Sequence, residues 1–174
     1  MIFRLLCGIA CVWATLTLTA AQEARAPLRI VAIGASNTWG WGVGTRKAYP
    51  ERLEDLLRAG GYDAQVTNAG VPFDTTLGML NRIDDAVPNG TRLVILQPGG
   101  NDRRFFRSKE HRQANIDEMV KRLQARKIHV IVYDPVFPPD FYQWDQIHIT
   151  SDGHARIAAD LLPQVTAILR AKIR

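Results

Sequence analysis

Four short apolar runs, each followed by a stretch of helical character, govern what this chain can become. The runs are Leu28–Ile33, Ala64–Asn68, Leu93–Leu96 and Ile128–Tyr133. Between the first two, Tyr49–Ala59 sets Leu53, Leu56 and Leu57 on one helical face, with Pro50 in the first turn and Gly60-Gly61 as the stop. Thr75–Ile83 reads as a short helix, and Gln113–Arg126 carries Ile116, Met119, Val120 and Leu123 at helical spacing. Ser151 to about Arg170 reads as a final helix capped by Thr150 or Ser151, with Pro163 expected to kink or split it. Strands that alternate with helices predict a parallel sheet covered by helices on both faces. The 174 residues, 47% of them apolar, suit one globular domain, and the chain shows no repeat.

The first 27 residues do not share this pattern. Met1–Arg4 carries one positive charge, Leu5 to Ala20 is almost uninterruptedly apolar or small, and Thr19-Ala20-Ala21 ends the run. This predicts a secretory signal over residues 1–21, cleaved near Ala21, then a linker over 22–27 and one domain over 28–174. The alternative is an uncleaved membrane anchor, for which roughly 16 apolar residues are short against the ~20 that a span needs. A lipoprotein signal on Cys7 or Cys11 lacks the usual Leu-small-small context. Both cysteines fall inside the leader, so the expected mature chain has no disulfide and no thiolate metal site. The expected location is secreted or periplasmic, with no stable membrane insertion after cleavage. The net charge of +5 becomes about +4 without Arg4, a mildly basic balance.

Four islands carry candidate chemistry: Gly34-Ala35-Ser36-Asn37, Asn68-Ala69-Gly70, Gly99-Gly100-Asn101-Asp102 and Asp145-Gln146-Ile147-His148. Ser36, Gly70 and Asn101 each lie close behind an expected strand, on the rim where open parallel sheets bind ligands. Together the islands hold the parts of an acyl-transfer site: a hydroxyl, an imidazole, a carboxylate and oxyanion donors. Singly, each has a plainer reading. Ser36 could cap a helix, Gly70 could be a turn glycine, Gly99–Asp102 could be a turn, and Asp145 and His148 could be a surface pair.

The ordered set resembles the SGNH, or GDSL-type, hydrolases, over nearly the whole expected mature chain and closest to bacterial secreted esterase- or thioesterase-like members. The resemblance implies a three-layer αβα, flavodoxin-like doubly wound sheet of four to five strands. It implies Ser36 as nucleophile, His148 as base and Asp145 as its orienting partner. The oxyanion hole would comprise the N–H groups of Ser36 and Gly70 and the Asn101 side chain. It implies hydrolysis of carboxylic esters or thioesters without metal or cofactor, on a small-molecule or glycan ester. Two alternatives are a polysaccharide O-deacetylase and a non-catalytic binding module on the same scaffold.

Three departures from the family pattern stand out. Ala35 replaces the usual Asp before the serine. Phe73 replaces a glycine three residues after Gly70. The stretch from Pro135 to Trp144 is short where many relatives have a further helix and strand. Trp39, Phe73 and Phe137 are candidate pocket residues, and Trp41 could join Trp39 in an aromatic wall. Phe141, Tyr142 and Trp144 could join Phe137 in a facing wall or plug the shortened region. The basic, aromatic stretch Arg103–Lys109 lacks the stripe and module that nucleic-acid binding requires, so no nucleic-acid partner is expected. It reads as a solvated loop, with attraction of an anionic substrate as a further option. His111, His129 and His154 show no metal-ligand spacing, and Asp152/His154 is a second possible carboxylate–imidazole pair.

Overall fold

The computed structural model describes residues 27–171. The expected leader, the linker up to residue 26 and the last three residues lie outside the described residues. Four strands form one fully parallel sheet: β1 (Leu28–Gly34), β2 (Ala64–Gly70), β3 (Leu93–Gln97) and β4 (His129–Val132). Their order is β2-β1-β3-β4. The central pair, β1 and β3, is buried almost throughout, as the apolar runs require. Of the expected four to five strands, four are present among the described residues.

Alternation along the strands sorts the core into two layers. Ile30, Ala32, Leu93 and Ile95 face α2 (Tyr49–Ala59) and α6 (Ser151–Arg170). Val31, Ile33, Val94 and Leu96 face α3 (Thr76–Ala86) and α5 (Lys109–Ala125). The helices answer with Leu53, Leu57, Leu161 and Val165 on one side and Met79, Ile83, Met119 and Leu123 on the other, all fully buried. Each such aliphatic side chain contributes about 1.5–3 kcal/mol through burial.

Several boundaries differ from the sequence reading for local reasons. Helix α5 begins a turn earlier than residue 113, because the Ser108 hydroxyl accepts the His111 N–H and caps it. Thr75 caps α3 by accepting the Gly78 N–H, and that helix runs on to Ala86. Thr150 is the cap of α6, by accepting the Gly153 N–H. Pro163 does not split α6, which is continuous from Ser151 to Arg170. Pro163 and Ala159, whose carbonyl loses its partner, both lie on the exposed face, while Leu161 and Val165 hold the helix to the sheet.

The chain leaves β1 toward β2 on one side and later crosses to β3 on the other. The carboxyl ends of β1 and β3 therefore flank a topological switch point, where open α/β sheets bind ligands. Two one-turn helices start there: α1 (Ser36–Trp39) after β1 and α4 (Asn101–Arg104) after β3. The shortened stretch after β4 holds only a 3₁₀ turn (Pro139–Phe141) and a bridge between Tyr142 and Ile149. Among the described residues no helix is long and apolar enough to cross a membrane.

Candidate active site

Ser36 is the first residue of α1, so its backbone N–H has no acceptor within that helix. The next residues fix the turn. Thr38, fully buried, donates to Gln97 Oε1 at the end of β3, 2.7 Å away. Gly70 closes the packing from the other side. A Cβ there would come within 2.3 Å of the Trp39 nitrogen, so only glycine lets α1 rest on the end of β2.

The segment carrying His148 is built by Asp145 and held by Asn37. Asp145 Oδ1 accepts the N–H groups of Ile147 and His148 at 3.0 and 2.9 Å, and Gln146 takes a left-handed φ of 56° to complete the turn. The other oxygen, Oδ2, meets His148 Nδ1 at 2.5 Å. Burial pushes the Asp145 carboxyl up, but the bonds from the His148 N–H, its ring and the Ile147 N–H outweigh this and hold it at about 2. It is therefore ionised at any pH where the protein would be assayed. Asn37, next to Ser36, donates to the Ile147 carbonyl at 3.2 Å and accepts the Ile149 N–H at 3.0 Å. One side chain thus grips the residues on both sides of His148. Gln143 adds bonds to the carbonyls of Trp41 and Ile149 at 2.7 and 2.9 Å. His148 Nε2 comes to rest 3.1 Å from Ser36 Oγ.

The expected oxyanion donors are placed unequally. The Asn101 amide donates to the Asp74 carbonyl at 2.8 Å, which leaves its second hydrogen for a ligand. Asp102, also from the third island, is buried and accepts from the Thr76 N–H at 3.0 Å and the Thr76 hydroxyl at 2.6 Å, so it fixes α4 against α3. The Gly70 N–H is engaged: it donates to Asn68 Oδ1 at 3.1 Å, and the Asn68 amide is in turn held by the Glu51 carboxylate at 3.2 and 3.3 Å. The N–H of Phe73, three residues on, meets no acceptor among the described residues. It lies one residue before the carbonyl that orients Asn101. Phe73 holds φ at 66°, a conformation that costs a non-glycine residue about 1 kcal/mol. The sequence signal for it was the glycine missing at that position.

The candidate pocket residues separate into two groups. Phe137 and Tyr142 line an open cleft of about 1090 Å³ together with Ser36, Asn101 and Gln97. Trp39 and Phe73 do not line it. They join Trp41 in an exposed aromatic ridge on the other side of His148. Trp41 stacks on the imidazole at 5.4 Å between ring centres, and Phe73 meets Trp41 edge-on at 5.6 Å. Trp144 projects into solvent, 93% exposed, and forms no wall.

Asp152/His154 is not a working pair. His154 is fully buried, stacks on Tyr49 and accepts the Tyr49 N–H through Nδ1 at 3.2 Å. Burial, helped by the Arg52 charge, lowers its pKa to about 4. The folded value lies below the unfolded one, near 6.5, so the unfolded chain binds more protons between these pH values. Stability is full above about pH 6.5 and is lost as pH falls toward 4, by on the order of 3 kcal/mol. A melting series against pH should show this slope, and His154→Gln, which keeps an acceptor for Tyr49, should flatten it.

The structure is thus a doubly wound parallel sheet that carries a serine, an imidazole and a carboxylate in hydrogen-bonded series at its switch point. The GDSL-like Lipase/Acylhydrolase family model matches residues 32–167, and the chain belongs to that family. Among curated proteins it is 28% identical to Esterase TesA of Pseudomonas aeruginosa over 69% of this chain and 60% of that one. It is 29% identical to the Arylesterase of Vibrio mimicus, over 71% of this chain and 62% of that one. The match thus spans under two thirds of each relative's length. A crystal structure of TesA shares the fold at a TM-score of 0.74 and 20% identity, covering 80% of this chain and 99% of that one.

Proposed function

We propose that the protein is a serine esterase that hydrolyses carboxylic esters through an acyl-enzyme on Ser36. The observation that carries this reading is the unbroken series Asp145 Oδ2, His148 Nδ1, His148 Nε2, Ser36 Oγ, at 2.5 and 3.1 Å. The names of its relatives, an esterase and an arylesterase, point the same way.

The chemistry follows from the geometry. Neutral His148 takes the Ser36 proton on Nε2 as Oγ bonds to the ester carbonyl carbon. Asp145 holds the ring by Nδ1 and balances the imidazolium. The carbonyl oxygen, now negative, is met by the Ser36 N–H and the free hydrogen of Asn101. A third donor comes from the Gly70–Phe73 turn. With the Gly70 N–H bound to Asn68, the Phe73 N–H is the better candidate. Collapse breaks the bond to the alcohol oxygen, which leaves with the proton from His148. Water then repeats the sequence, giving its proton to His148 and releasing the acid. A thioester would follow the same path with a thiol leaving.

A fluorophosphonate probe tests the nucleophile. Mass spectrometry should place the label on Ser36 of folded protein, and a folded sample that takes no label would favour a binding module. Asn37 is a positioning residue in this scheme. Asn37→Ala should lower kcat about 10–100-fold with little change in KM, because the imidazole loses its register over Ser36. An unchanged kcat would show that Asp145 and Gln143 alone fix His148. The serine nucleophile, its secretion by the N-terminal leader and an ester substrate, whether small molecule or glycan, are parts of one proposal.

A further inference from the structure

We propose that the cleft beside Ser36 selects esters carrying an anionic group, held by Arg103, Arg104, Arg107 and Lys109; this rests on the esterase reading. All four side chains line the cleft that contains Ser36 and Asn101, and all four are exposed. Arg103 and Arg104 belong to α4, so the short helix that presents Asn101 also presents two guanidinium groups.

The charges on this wall are unanswered. Among the described residues none of the four meets a carboxylate within ion-pair distance. The other ionic groups nearby are accounted for. Arg112 pairs with Asp134 and donates twice to the Gly99 carbonyl. Asp102 is turned inward to Thr76. Glu110 is held by its own N–H and by Ser108 at the start of α5, which lowers its pKa. Pro135, Val136 and Phe137 also line the cleft and give it an apolar stretch. Cationic and apolar residues lining one cleft, roomier than a short acyl chain needs, fit an ester with an apolar body and a negative end. Four cations around a concave surface also concentrate anions near the hydroxyl.

Two matched pairs of substrates separate the two ends of such an ester. Mono-4-nitrophenyl adipate against its methyl ester puts the charge on the acyl side. 4-Acetoxybenzoate against its methyl ester puts it on the leaving side. The readout is the anionic-to-neutral ratio of kcat/KM. In Arg103→Gln/Arg104→Gln/Arg107→Gln/Lys109→Gln this ratio should fall at least about tenfold for one pair, which identifies the side facing the wall. Raising salt from about 0.02 M to about 0.5 M should lower the wild-type ratio in the same pair. A control lacking Arg46, Lys47, Lys121 and Arg170 instead should keep the wild-type ratio. An unchanged ratio for both pairs in the cleft variant overturns the proposal. Should the wild-type protein cleave no ester at all, the esterase reading fails, and calorimetric titration with citrate decides the charge question separately. Weaker citrate binding in the cleft variant than in the control supports the anionic site, and equal binding sinks it.

Discussion

Ser36→Ala should reduce ester hydrolysis by roughly 10⁴–10⁶-fold while leaving the fold intact. The hydroxyl is the only protein group in the scheme that forms a bond to carbon, so without it no acyl-enzyme can form. The substitution removes one oxygen at a half-exposed position, and the restraints on α1 come from Thr38, Asn37 and Gly70 instead. Circular dichroism and melting should therefore match the wild-type protein. Turnover of 4-nitrophenyl acetate by Ser36→Ala at anything near the wild-type rate would end the proposal.

Asn101→Ala should lower kcat by roughly 10²–10³-fold, the usual loss for one oxyanion donor. The effect should fall on kcat more than on KM, because the donor acts on charge that develops only as the tetrahedral adduct forms. Asn101 also bonds the Asp74 carbonyl, so its loss frees the turn that carries Phe73. Asn101→Asp separates the two roles: it keeps the side chain's shape, has no amide hydrogen to give and adds a negative charge beside the oxyanion. It should be no more active than Asn101→Ala. Recovery of activity in Asn101→Asp would mean that the side chain serves packing alone.

Much of this was legible in the sequence because period and order survive folding. The alternating runs identified every strand among the described residues, and the two helical faces fell where Leu53, Leu57, Met119 and Leu123 pointed. What escaped was decided by single contacts across the chain. The early start of α5 depends on the Ser108 hydroxyl, and the continuity of α6 depends on Pro163 facing water. The islands come together in space, but the contacts inside each were not visible in the sequence. Gly70 reads as a donor in sequence, and in space its N–H bonds Asn68 and its missing Cβ leaves room for Trp39. Phe73 reads as an oddity in sequence and carries an unoccupied N–H in space. Nor could spacing show that Trp39 and Phe73 share a ridge while Phe137 faces a different cavity.

The grip of Asn37 on Ile147 and Ile149 has a consequence for how such a chain can change over generations. Serine and imidazole are 112 residues apart in sequence, yet the side-chain amide of the residue next to the serine bonds the backbone on both sides of the imidazole. Within the span between β4 and Gln143, Phe141 and Tyr142 join that grip, because the Phe141 carbonyl accepts the Thr150 N–H at 2.9 Å and Tyr142 bridges Ile149, while Pro135 and Val136 make no hydrogen bond to the His148 segment among the described residues. The span can therefore accept new loops near the exposed Val136 without breaking the bonds that hold the reacting atoms. Grafting there would exchange the choice of ester while conserving the chemistry, which makes this bend the natural point of diversification and a first target for redesign.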